Sequence, residues 1–310
     1  MLDRRLLFVT GKGGVGKTTM AAALAVLGAQ QGKRVLVCEV DAKGNLADVF
    51  ESSPTSFEER EVQPGVFAMS MDTEASLREY LRLQIRIPLL ARIGPLARTF
   101  DFLANAAPGI KEIVTVGKFA WEVKERNYDL VVVDAPATGH IVGQLNAPQA
   151  INDLVQVGLI REQTGWMLEI LRDPATTGVV IVAAPEEMPV VESLELIERL
   201  EDTHVEVAGV IVNRVLPELF GRAEEAVFER LRDAEEEGTL DGSLGAGIGP
   251  VLEAARLAVT LRRTRAGHLT HLREGVPEGT NIVYVPELFN RTHGLRATRQ
   301  VADALAAELL

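Results

Sequence analysis

The chain has 310 residues, 47% hydrophobic and 25% charged, enough to bury one large core or two modest ones. A formal net charge of −12 argues against general binding to nucleic acid, which needs a concentrated positive footprint. One cysteine excludes an intrachain disulfide and any cysteine-cluster metal site within one chain.

No apolar stretch approaches the ~18 residues of a membrane span. Asp3-Arg4-Arg5 leads straight into an apolar run without a signal peptide. Stable membrane insertion is therefore not expected, and the expected location is cytoplasmic.

The first predicted strand, Leu6 to Thr10, turns into Gly11-Lys12-Gly13-Gly14-Val15-Gly16-Lys17-Thr18-Thr19 and then into the helical run Met20 to Ala25. A buried strand, a glycine loop and a helix in that order form the context of a phosphate-binding loop. Its glycines let successive N–H groups converge on phosphate oxygens, and the helix N-terminus adds partial positive charge. Gly13, Gly14, Val15, Gly16, Lys17, Thr18 and Thr19 are thus expected to hold a nucleoside triphosphate, with Lys17 on the β/γ-phosphates and the Thr18 hydroxyl on Mg²⁺. Gly11, Gly13 and Gly16 also satisfy a dinucleotide fingerprint, with the acids Glu39 and Asp41 roughly 20 residues on. Lys17-Thr18 decides against it, because a dinucleotide fold needs neither a lysine nor a magnesium hydroxyl at that turn.

Further strands are predicted over Arg34 to Val40, which carries Cys38, and over Val66 to Ser70, Leu130 to Val133, Val179 to Ala183, Ala208 to Val212 and Ile282 to Val285. Nearly continuous apolar runs are the sign of parallel strands covered on both faces. Alternation with helices then predicts an α/β, doubly wound, mainly parallel sheet of a P-loop NTPase, with residues 1–310 as one domain.

Residues 75–126 and 141–172 are mainly helical, broken by Pro88, Pro95, Pro108 and Pro148, and read as an attached helical subdomain. The first of these is locally basic, with Arg78, Arg82, Arg86, Arg92 and Arg98, either as a solvated helix face or as a surface for an anionic partner. Its apolar positions Leu83, Ile87, Leu89, Leu90, Ile93, Leu96, Phe100, Phe102 and Leu103 either line a groove for an apolar helix or pack the subdomain onto the sheet. Residues 234–250, acidic and then glycine-rich, read as a loop. His268 and His271 are three apart, but Gly267 and Thr270 beside them suggest a helix end rather than a metal site.

Two predicted strands end in carboxylates. Asp134 closes an apolar strand where it could hold the water shell of Mg²⁺, and Gly139 follows closely enough to offer an N–H to the γ-phosphate; helix capping is the alternative for Asp134. Asp41 ends its strand in the same way and could orient the attacking water, or serve as an N-cap or turn residue ahead of Asn45. With a single phosphate loop in the chain, a second nucleotide site must come from a second chain.

Gly11 to Thr19, Asp41 to Asp48 and Asp134 to His140 resemble the signature loop, switch I and switch II of the arsenite-transporter ATPase (ArsA) family. Pro108-Gly109-Ile110, Val212-Asn213-Arg214 and Pro286 to Gly294 extend the likeness over nearly the whole length. The resemblance implies a homodimer, or a heterodimer with a paralogue, with ATP at a shared interface and a helical surface for an apolar-helix client. Lys12, the signature lysine, would cross to the partner's phosphates, Asp41 would position water, Asn213 would read adenine and Pro286 would stand in the nucleotide site.

Switch I departs from the family pattern as Asp41-Ala42-Lys43-Gly44-Asn45, switch II as Asp134-Ala135-Pro136-Ala137-Thr138. Gly294 is preceded by Arg291-Thr292-His293. With Cys38 alone, neither the metalloid sites nor the zinc clasp of some members carries over. A positioning ATPase like the ParA and MinD relatives is the alternative, but the C-terminal Val301 to Leu310 has no Lys or Arg for a membrane helix. An inactive subunit paired with a paralogue is a further one.

Overall fold

The computed structural model describes residues 1–41, 44–84, 109–155, 157–217, 221–236, 248–288 and 294–309. Expectations for Ala42 and Lys43, for the prolines and apolar positions between 85 and 108, for the glycines of 237–247 and for Arg291 to His293 lie outside the described residues.

The strands are β1 (Leu6–Gly11), β2 (Val35–Glu39), β3 (Arg60–Gln63), β4 (Val66–Ser70), β5 (Leu130–Asp134), β6 (Thr177–Ala183), β7 (Val207–Val215) and β8 (Ile282–Pro286). They form one sheet in the order β3-β4-β2-β5-β1-β6-β7-β8, with all neighbours parallel except the antiparallel β3–β4 pair. All seven predicted strands are present. The edge strand β3 was not expected: Arg60-Glu61-Val62-Gln63 is polar and only partly covered, and the hairpin turn at Gly65 (φ +77°) brings it back onto β4.

Strand order also excludes the dinucleotide alternative. There β2 lies beside β1; here β5 separates them.

Alternation along β1 sends Leu7 and Val9 to one face of the sheet and Leu6 and Phe8 to the other. The first face is covered by α1 (Lys17–Gln30) and α10 (Leu295–Leu309). Helix α1 is buried continuously from Met20 to Gly28, which is why it lacks a polar stripe.

The second face carries α4 (Ile110–Lys124), α5 (Thr138–Leu154), α6 (Leu159–Arg172) and α7 (Glu187–Glu201). Helix α3 (Thr73–Gln84) packs on α4, and Trp121 of α4 meets Trp166 of α6 edge to face, with centroids 6.4 Å apart. Helices α3 to α6 form the helical subdomain.

Short α2 (Asn45–Val49) follows β2, while α8 (Arg222–Glu236) and α9 (Ile248–Gly275) lie between β7 and β8. Pro148 does not break its helix: α5 runs through it, and its burial offsets the hydrogen bond that its missing N–H forfeits. Residues 234–236 and 248–250, expected in a loop, are helical. His268 and His271 lie inside α9 rather than at its end. Among the described residues no helix is long and apolar enough to cross a membrane.

One cation of the basic segment is not solvated. Lys118 of α4, its side chain 5% exposed, meets Glu122 at 2.7 Å, Glu79 of α3 at 2.9 Å and Glu59 at 3.3 Å. Tyr128 donates to Glu59 at 2.8 Å and Asn127 to Glu122 at 2.8 Å. Burial alone would lower the lysine's pKa, but Glu122 and Glu79 override it and raise it. The ammonium therefore stays charged across neutral pH and ties two helices to the segment ahead of β3.

Replacing Lys118 with Met would leave three carboxylates facing one another around an apolar chain. The expected loss is ~3–5 kcal/mol, read as a lowered denaturation midpoint at pH 7. A midpoint equal to that of the unsubstituted chain would refute the role of the cluster.

Candidate functional site

The carboxyl ends of β1, β2 and β5 meet beneath α1. Between β1 and α1 the chain passes through Lys12 to Gly16, with Gly14 at φ +86° and Gly16 at φ +98°. Gly16 is required twice over. Its backbone is left-handed, and a Cβ there would come within 2.5 Å of the Asn213 amide nitrogen. That amide, on β7, donates to the Val15 carbonyl at 2.8 Å and accepts from the Arg214 N–H at 2.9 Å, so Asn213 braces the loop from below. These bonds use one of the two amide N–H groups and one carbonyl lone pair of Asn213, and the side chain is buried.

Helix α1 begins without a side-chain cap and with no acid in its first turn. Its N-terminal amides and dipole thus remain available to an anion. Lys17 donates to the Lys12 carbonyl at 3.2 Å, and Thr18 donates to Asp134 of β5 at 2.6 Å. Gly13, Gly14, Gly16, Lys17, Thr18 and Thr19 line a cavity of about 640 Å³, closed by Asn45 and Asp48 of α2 and by Gly294, Ala297 and Thr298 around the start of α10. The fit to a nucleotide and its magnesium rests on this cradle: left-handed glycines at 14 and 16, an uncapped helix start, one lysine, and a hydroxyl paired with a buried carboxylate.

Asp134 is 7% exposed. Burial pushes its pKa up to about 6; the Thr18 hydrogen bond and the Lys17 charge oppose the shift, while Glu39 and Asp41 add to it. Glu39, 1% exposed and in register with Asp134, accepts from the N–H groups of Gly44 at 3.2 Å and Asn45 at 3.0 Å. The carboxylate that anchors the start of α2 is thus Glu39. Asp41 lies exposed just past β2. Capping is not the role of Asp134, which ends β5 four residues before α5; that helix has no side-chain cap, and Gly139 stands exposed in its first turn. Pro286 ends β8, is exposed, and is not among the residues lining the cavity.

Lys12 has its ammonium against Glu192 of α7 at 2.5 Å. The other carboxylate oxygen of Glu192 accepts from Thr138, the first residue of α5, at 3.2 Å. Glu192 did not stand out in the sequence, and Glu39 did so only as an acid of the rejected dinucleotide fingerprint. Glu39 sat inside an apolar strand, and Glu192 was one of several glutamates on an amphipathic helix.

A second cavity, of about 300 Å³ and almost wholly apolar, opens among α3, α4, α5 and α6, with Trp121, Trp166, Met167, Ile151 and Ile160 in its walls. Ile160 of its lining is 53% exposed; Leu154 (78%) and Val157 (80%), on either side of the lining residue Val155 in the chain, are exposed as well.

The family model for anion-transporting ATPases matches residues 4–168 and 156–237. ATPase BagA of Mycobacterium tuberculosis is 34% identical over 224 residues, 69% of this chain and 66% of that protein. ATPase ASNA1 homolog 1 of Paramecium tetraurelia is 28% identical over 253 residues, 68% of this chain and 74% of that protein. The arsenical pump-driving ATPase of Acidiphilium multivorum is 28% identical over 306 residues, 91% of this chain and 52% of that protein. The chain thus spans just under two thirds of the mycobacterial protein's length and about half of the pump-driving one's.

The raised pKa of Asp134 has two measurable consequences. A carboxylate whose folded pKa exceeds its unfolded value costs stability above the folded pKa, and the cost disappears as pH falls through about 6 toward the ordinary aspartate value of 3.8. Asp134→Asn should therefore stabilise the nucleotide-free chain at pH 7, by at most ~3 kcal/mol. Magnesium affinity should fall about tenfold per pH unit below this pKa and lose that dependence in the variant. Thermal denaturation and magnesium titration across pH 5–8 check both; a flat magnesium profile would remove Asp134 from the metal site.

Proposed function

The chain belongs to the anion-transporting ATPase family, and from its phosphate-loop site we propose that it binds and hydrolyses ATP as one half of a two-chain switch. The observation that carries this reading is the Thr18–Asp134 hydrogen bond at the uncapped start of α1. It sets a magnesium-binding hydroxyl and a buried carboxylate beside the phosphate cradle.

In this proposal Gly13 to Thr19 hold the phosphates through main-chain N–H groups, and Lys17 neutralises the β/γ-oxygens. Thr18 holds magnesium directly and Asp134 through water; the ion's contribution is neutralisation of phosphate charge. Asp41 orients the attacking water and accepts its proton. Gly139 offers its N–H to the γ-phosphate. Lys12, the signature lysine, serves the phosphates of the facing chain, a homologous copy or a paralogue. The apolar cavity among α3 to α6, with exposed Leu154 and Val157 on either side of its lining residue Val155 in the chain, supports a helical surface that receives an apolar-helix client or partner as the nucleotide state changes.

Relatives named for driving an arsenical pump raise the question of metalloid control. Cys38, the lone cysteine, is fully buried in β2, and burial pushes its thiol well above the ordinary range. A thiolate ligand is thus unfavourable there. Arsenite or antimonite should leave turnover unchanged; several-fold stimulation lost in Cys38→Ser would contradict this.

Three substitutions separate the proposed roles. Lys17→Ala should weaken ATP binding about 10- to 100-fold, the scale of a lost charged hydrogen bond. Asp41→Asn should bind ATP normally and lose roughly 10²–10⁴ in turnover. Lys12→Ala should bind ATP as a single chain but neither self-associate nor turn over. Phosphate release and sedimentation velocity with ATP measure these. Normal hydrolysis by a monomeric Lys12→Ala chain would replace the two-chain switch with a conventional single-chain P-loop enzyme.

A further inference from the structure

We propose that Glu192 is a positioning residue that holds Lys12 within its own chain, so that the two-chain state forms only when a phosphate group displaces this carboxylate. The inference rests on the two-chain reading and adds the step that controls it. In the single chain the Lys12 ammonium lies 2.5 Å from one oxygen of Glu192, and the other oxygen accepts from Thr138 at 3.2 Å. One carboxylate therefore links the phosphate loop, the first residue of α5 and the middle of α7.

Its surroundings set it apart on its own helix. Glu195, Glu198 and Glu201 of α7 are exposed, whereas Glu192 is half-buried against the phosphate loop. The pair is also placed to open: the two side chains are 30% and 27% exposed, so water and competing anions reach it.

A lysine ammonium is a point charge without a fixed donor fork, and it can exchange a carboxylate for a phosphate oxygen at little geometric cost. While Glu192 holds it, Lys12 is neutralised in cis and unavailable to a facing chain. When it leaves, Glu192 keeps Thr138 as a hydrogen-bond donor but loses the cation that balanced its charge. The loop itself stays tied, because Lys17 donates to the Lys12 carbonyl.

The test uses the full chain and Glu192→Gln, which keeps the side-chain shape and an acceptor for Thr138 but removes the charge. Acylation of Lys12 by an N-hydroxysuccinimide ester, quantified by peptide mass spectrometry without nucleotide, should rise several-fold, and Glu195→Gln should leave it unchanged. Self-association with Mg²⁺ and a non-hydrolysable ATP analogue should occur at about fivefold lower protein concentration, the scale of a partly exposed ion pair. The melting temperature should stay close to that of the unsubstituted chain. Should Glu192→Gln fold poorly, Glu192→Asp withdraws the carboxylate by one methylene and should shift both readouts in the same direction.

Equal Lys12 labelling in both chains would show that the pair does not form and overturn the proposal. Increased labelling without easier association would overturn the gating role while leaving the two-chain reading intact. If neither chain associates with the analogue, the two-chain reading falls and the proposal with it, whatever the labelling.

Discussion

A 2.6 Å hydrogen bond between Thr18 and Asp134 joins the start of α1 to the end of β5, and the candidate site depends on how the sheet makes that contact possible. Parallel strands bring their carboxyl ends to one edge, and β1 sits centrally, with β5 on one side and β6 on the other. The loop after β1 therefore stands directly over the residue that ends β5. A second tie runs alongside, from the Thr10 hydroxyl to the Pro136 carbonyl at 2.7 Å. Beneath them the sheet is dry: every residue of β1 and β5 is buried. Displacements at this edge must pass through the loops and helices, since the strands are packed too closely to yield.

Charge is distributed there with little margin. Asp134 and Glu39 end neighbouring strands in register, a like-charge arrangement that costs free energy unless each acid has a task. Glu39 accepts two main-chain N–H groups at the start of α2. Asp134 has a single hydroxyl and an elevated pKa of about 6, so its charge is poorly compensated in the free chain. In the proposed function a divalent cation would supply that compensation. Stability is given up at a functional position, and binding would restore it.

Features legible in the sequence were those with a local cause. Glycines flanked by a strand and a helix mark the loop, and apolar runs mark the seven strands predicted. Features that escaped it arise from residues far apart in the chain. Nothing near Lys12 indicates that Glu192, 180 positions away, will meet it. Lys118 reads as another surface cation until Glu59, Glu79 and Glu122 converge on it. Asn213 could be named only from resemblance; its tie to the Val15 carbonyl follows from β7 lying two strands from β1. The strand β3 lacked the alternation by which strands are recognised, because an edge strand with little covered area has no need of it. Pro148 misled for the opposite reason: local chemistry disfavours it within a helix, and tertiary burial prevails.

Helix α5 runs from the Glu192–Lys12 pair to the apolar cavity. Its first residue, Thr138, donates to the carboxylate that holds Lys12, and Ile151, in its last turn, lines the apolar cavity beside exposed Leu154. Seventeen residues of α-helix make a rod of about 25 Å. Such a rod transmits a shift at one end as a tilt or translation at the other, provided that its neighbours can slide. Helix α6 follows α5 after a short connection and shares the cavity through Trp166 and Met167, while α4 contributes Trp121. A change in the bonding of Thr138 would thus reach a cavity whose walls come from several helices, where small relative movements alter volume and exposure together. In the proposed switch this gives nucleotide state a mechanical route to the apolar surface without disturbing the sheet between them.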